Sequence, residues 1–165
     1  MKKILLFIPL LILSHHCMAQ AQLAFPFQGG KDIMTRFFKD SLIVSDDIIH
    51  KKATGLVIFK FTADEKGGIT KIIIYYADDA ILVPPIIDAL KKSNHKWIIP
   101  DHEKFNDFIL PVSYGFNPPA PGTKGVQKAV YDFNLKRKPI FSTDQIPLDL
   151  ATLLPTIMIN YDLTE

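Results

Sequence analysis

The side chains able to do chemistry in this 165-residue chain are few and scattered. His50, His95 and His102 lie beyond the N-terminal segment; His95 and His102 flank Trp97, and Asp101 and Glu103 adjoin His102. Imidazoles beside carboxylates can ligate a metal, but the spacing here matches no zinc-ligand pattern, and the polar stretch 101–107 reads as loop. Solvated loop residues are the expectation, with no metal. Asp46-Asp47 and Asp78-Asp79 are adjacent carboxylates. Neighbours on a strand point to opposite faces, so turn chemistry accounts for them better than paired acid–base work. There is no Gly-x-Ser-x-Gly elbow and no phosphate loop of the Walker type, and Gly67-Gly68 is too short to cradle phosphate. These residues support no enzyme activity and call for no cofactor.

The N-terminus explains where the one thiol goes. Lys2-Lys3 and the apolar run 4–13 are followed by small residues at Ala19 and Ala21, the pattern of a secretory signal peptide over 1–21. Ten apolar residues at 1.5 Å each reach about half the hydrocarbon thickness, so no stable membrane span is expected after cleavage. Cys17 falls inside this segment, and Ser14-His15-His16 before it fits a lipoprotein signal badly. Export across the inner membrane, to the periplasm or beyond, follows, with a mature chain free of disulfide and thiolate chemistry. Losing Lys2 and Lys3 from 19 basic residues balances the 17 acidic ones. That neutrality, and the lack of a dense Lys/Arg cluster, exclude nucleic acid as an expected partner. About 145 residues remain, enough for one domain with a modest core.

The stretch 55–76 is the element around which the rest must be built. Val57, Phe59, Phe61 and Ala63 alternate with Leu56, Ile58, Lys60 and Thr62, a period of two. Asp64 to Gly68 supplies a turn, and 69–76 is rich in β-branched and aromatic residues, so an antiparallel hairpin is expected. Upstream, Ile33, Met34, Phe37 and Phe38 give 31–40 a helical apolar face, and Ser45-Asp46-Asp47 caps another turn. Downstream, Pro84-Pro85 opens a helix carrying Ile86, Ile87, Ala89 and Leu90. Trp97, closed off by Pro100, is expected to pack on Val57, Phe59 and Phe61. Phe108, Leu110, Val112, Tyr114 and Phe116 then alternate through a strand in which Pro111 removes a donor, the mark of an edge or a bulge. Beyond Pro118-Pro119-Ala120-Pro121-Gly122, strands are expected over 129–135 and 156–161, and a helical turn over 148–154. The fold class is α+β: an antiparallel sheet of three strands, or slightly more, with two short helices packed on one face.

This ordered set resembles the TonB C-terminal domain family in its compact, secreted form. The likeness rests on Gly29-Gly30, the strand from Gly55 through Val57, Phe59 and Phe61, Asp64 with Gly67-Gly68, Ile69, Ile72 and Ile74, Ala89-Leu90, Trp97 with Pro100, and Leu110-Pro111-Val112 with Phe116. It divides the chain into the signal 1–21, a TonB-like domain over 22–117 and an extension over 118–165. There are departures: Val44-Ser45 stands where the family often has Tyr-Pro, Trp97 is one residue further from its proline, and the turn carries one glycine more than needed. With only a few residues between the cleavage site and Gly29, a full energy transducer is not expected.

The resemblance implies a non-enzymatic periplasmic binding module that pairs an extended segment of an outer-membrane receptor or envelope protein with its last strand. The residues so assigned are Phe108, Ile109, Leu110, Val112, Ser113, Tyr114 and Phe116, the hairpin being scaffold. The alternative is a structural or assembly protein of the envelope, whose tail completes the sheet within the chain or in a neighbouring subunit of a homodimer.

Overall fold

The computed structural model describes residues 25–117, 125–143, 148 and 150–163. The signal segment, Cys17 and the proline-rich break at 118–122 lie outside the described residues. Helix α1 (Gly30–Ser41) starts behind Gly29, and its apolar spacing buries Met34 and Phe38 while leaving Ile33 exposed. Helix α2 (Asp46–Lys51) follows Ser45 and buries Ile48. Strands β1 (Gly55–Asp64) and β2 (Ile69–Ala77) form the expected antiparallel hairpin. A 3-10 turn (Ala80–Leu82) leads into α3 (Val83–Lys92), which has proline in its first turn and lysines in its last. Strand β3 (Phe105–Phe116) returns antiparallel along β1 in a register from Gly55 opposite Tyr114 to Asp64 opposite Phe105.

The α+β class is as expected, and the sheet is wider than its antiparallel trio. Beyond β3 come α4 (Val126–Lys136), β4 (Ile140–Phe141), β5 (Thr152–Leu153) and β6 (Ile157–Tyr161). The strand order is β4-β2-β1-β3-β5, with β6 also on β3; β4 is antiparallel to β2, whereas β5 and β6 run parallel to β3. Two expectations for the tail are corrected. Residues 129–135 are helical: Val126, Ala129, Val130 and Phe133 recur at helical spacing, and Phe133 is the buried one. Thr152-Leu153 is strand, held on Phe108 and Ile109, where a helical turn was expected.

One core unites the elements. Val57, Phe59, Phe61 and Ala63 are fully buried on one face of β1, joined by Phe108, Leu110 and Val112 of β3 and by Ile157 of β6. Met34, Phe38, Ile48, Ile86, Ala89 and Leu90 of the helices belong to the same cluster. The rings around Trp97 are Phe27, Phe38, Phe61 and Phe108, with Phe61 nearest at 4.6 Å between centroids. Of the two phenylalanines expected against it, Phe61 packs its ring on Trp97, and Phe59 lies in the same buried cluster.

Candidate functional site

Strand β3 is paired on both sides. Leu154 N–H donates to the Ile109 carbonyl at 2.9 Å, and Asn117 N–H to the Tyr161 carbonyl at 3.0 Å. The odd-numbered backbone groups of β3 therefore face the tail, and the even-numbered ones face β1. Strand β5 takes the side of Phe108 and Ile109, and β6 takes the side of Val112, Ser113, Tyr114, Gly115 and Phe116. Pro111, opposite Ile58, lacks its N–H toward the tail, at the point where β5 has ended and β6 has not begun. The edge or bulge expected from Pro111 is therefore not found: the proline falls in a gap between two tail strands. The free edge expected at Phe108, Ile109, Leu110, Val112, Ser113, Tyr114 and Phe116 is thus corrected: the chain's own tail occupies it. Phe108, Leu110, Val112 and Tyr114 also turn their side chains into the core.

Among the described residues, the open edge lies on β2. Phe59 pairs with Ile74 and Phe61 with Ile72. Because the backbone groups of Phe59 and Phe61 point to β3, those of Ile72 and Ile74 point away from β1. Strand β4 covers only Tyr76 and Ala77, and Ser142 N–H reaches the Tyr75 carbonyl at 3.0 Å. Among the described residues, no strand pairs with β2 over 69–74. Periodicity placed this strand but gave no sign of what lies beside it, because edge occupancy depends on segments far off in sequence.

The carboxylates act as clamps. Asp78 Oδ2 accepts from Leu56 N–H at 2.6 Å, and its Oδ1 accepts from the Tyr76 hydroxyl and from Arg137. A side chain at Gly55 would collide with Asp78, 2.6 Å from the place a Cβ would take, which explains the glycine that leads β1. That hydrogen bond from the Tyr76 hydroxyl to Asp78 raises the Tyr76 pKa. Asp79 caps the 3-10 turn through Ile81 N–H and holds Lys138 N–H at 2.6 Å. Both aspartates thereby tie the tail to the hairpin. Asp64 Oδ1 accepts from Lys66 and Gly68 N–H and shapes the hairpin turn. On the face of the sheet away from that core, Lys60 pairs with Asp107 at 2.8 Å. Burial pushes the Asp107 pKa up, but hydrogen bonds from Lys60 and Thr62 and the lysine charge outweigh it, and the net shift is downward.

The structure distributes the other singled-out residues widely. Gly29 and Gly30 stand at the start of α1, Gly67 and Gly68 in the hairpin turn, and Pro100 beyond the Trp97 bridge to Phe27. His50 lies in the last turn of α2, His95 Nδ1 lies 3.3 Å from the Lys66 carbonyl, and His102 sits in a left-handed loop position. Among the described residues, no three His, Cys, Asp or Glu side chains gather as a metal-binding group. No helix among them is long and apolar enough to cross a membrane. In comparison with known proteins, no family model, curated protein or solved structure matches the chain.

Proposed function

We propose that the protein is a non-enzymatic binding module of the cell envelope, exported and TonB-like, that adds an extended partner segment to its sheet as a further strand. The supporting observation is the pair of outward backbone groups at Ile72 and Ile74, which face no strand among the described residues. Main-chain bonding at such an edge gives affinity, and alternating side chains give selectivity. Recognition moves from β3, the strand the resemblance assigns, to β2, because β5 and β6 take the place a partner would fill.

Titration of the labelled protein with N-terminal segments of outer-membrane receptors tests this. The amides of Ile72 and Ile74 are expected to shift and gain protection, with β3 unmoved. Ile74→Pro deletes an N–H that faces no strand among the described residues, so the fold should persist while binding is lost. Shifts confined to β3, or a proline variant that binds unchanged, would overturn the assignment to β2.

A second reading is favoured by β5 and β6 themselves: a structural or assembly protein whose tail completes its own sheet. Removing everything after Asn117 separates the two. A fragment that stays folded, monomeric and equally stable argues against the second reading.

A further inference from the structure

Where α2, the 3-10 turn and α4 meet, they enclose a cleft of about 600 Å³, within the size range of small-ligand sites. Its floor is apolar: Ile81, Ala129 and Phe133, the last only 8 % exposed. Its rim carries Lys51, Lys136 and Lys138, none of which makes an ion pair among the described residues. His50 and Lys52 also line the cleft.

The two carboxylates that also line the cleft are already engaged. Asp79 accepts from Ile81 and Lys138 N–H, and Asp132 pairs with Lys128 at 2.6 Å. The helix dipole accounts for a cation in each last turn, Lys51 on α2 and Lys136 on α4. It does not account for Lys138, which lies outside both helices, or for three lysines lining one cleft together with an apolar floor. A free inorganic anion would leave the floor unused, and a neutral apolar ligand would leave the lysines unused. We propose that this cleft binds a single-chain anionic amphiphile, with its apolar body on Ile81, Ala129 and Phe133 and a carboxylate or phosphate head among Lys51, Lys136 and Lys138.

Submicellar decanoate is the probe, titrated into the labelled full-length protein beside decyl phosphate, decanol and inorganic phosphate. Saturable shifts are expected at Ile81, Ala129 and Phe133 with decanoate and decyl phosphate. Decanol, with the same chain and no charge, should bind on the order of tenfold more weakly, as should decanoate to the Lys51→Ala/Lys136→Ala/Lys138→Ala variant, since each exposed ion pair contributes modestly. Ala129→Phe keeps every charge but fills the floor, and should abolish binding while circular dichroism stays unchanged. The proposal is overturned if decanol matches decanoate, if the triple variant binds unchanged, or if inorganic phosphate alone saturates the same amides with equal affinity. It is equally overturned if only vesicles containing phosphatidylglycerol, and no monomeric amphiphile, shift these residues.

Discussion

Tyr114 and Tyr161 are 3 % and 5 % exposed, yet their hydroxyls meet different fates. The Tyr161 hydroxyl donates toward the Ala53 carbonyl at 2.7 Å, with the Ile48 carbonyl at 3.3 Å, and so pins β6 to the end of α2. The Tyr114 hydroxyl is buried with no hydrogen-bond partner among the described residues. Because an unmet buried hydroxyl costs free energy and a met one contributes, the same substitution should act oppositely at the two sites. Tyr161→Phe is expected to cost about 1–2 kcal/mol, and Tyr114→Phe to be neutral or to stabilise by up to about 1 kcal/mol. Urea midpoints at unchanged slope measure both; equal losses would mean that Tyr114 is satisfied after all. Burial raises both phenol pKa values above the ordinary 10.0. A raised phenol keeps its proton in the folded chain after the unfolded chain has lost it, so its contribution is complete below pH 10 and drains away as pH rises beyond. Tyr161→Phe should therefore flatten the loss of stability above pH 10.

The hairpin and the Trp97 segment pack as one unit, and Gly67 is one of the points that join them. Gly67 holds φ near 73°, and its carbonyl accepts from His95 N–H at 2.8 Å. A Cβ there would run into the Trp97 carbonyl oxygen. Gly67 thus lets the turn back onto Trp97, whose indole N–H donates to buried Ser93 at 3.1 Å. Gly67→Ala should cost about 1–3 kcal/mol and redden Trp97 fluorescence as the loop lifts; an unchanged spectrum and midpoint would show that the clamp carries no strain. The sequence made visible what local pattern controls. Alternation in β1 and β3, the proline-led start of α3 and the face of α1 were all legible, because side-chain period and capping are written in neighbouring residues. The tail was not. Ala129, Tyr131, Phe133 and Leu135 alternate as a strand would, while Val126, Ala129, Val130 and Phe133 fit a helix, and packing of Phe133 chooses the second. Strands β4 and β5 are two residues each, too short to show any period. The occupancy of β3 was hidden for the same reason: nothing near Pro111 records that β5 and β6, more than forty residues on, pair with the strand to either side of it.

At the scale of the whole molecule, the question is whether the tail belongs to the cooperative core or only rests on it. Strand β6 buries Ile157, Ile159 and Tyr161 against the helices, adds five parallel pairs to β3 and carries the Tyr161 anchor. Strands β4 and β5 bring two pairs each, and Phe141 and Leu153 are largely exposed, at 66 % and 69 %. Opening β4 or β5 uncovers little apolar surface, whereas opening β6 uncovers a full stripe of it, and local unfolding free energy follows that difference. Native-state hydrogen exchange should divide the tail accordingly. Amides of Phe59 and Phe61 in β1, bonded to β3, are expected to exchange only through global unfolding, together with those of β6 that face β3. Amides at Ile140-Phe141 and Thr152-Leu153 should exchange orders of magnitude faster through local opening. If β6 instead exchanged on the order of a hundredfold faster than β3, the tail would be a detachable cover, and β3 would become available to a partner strand as β6 lifts. If it exchanges with the core, β3 is closed in the native state and a partner strand has β2 to pair with.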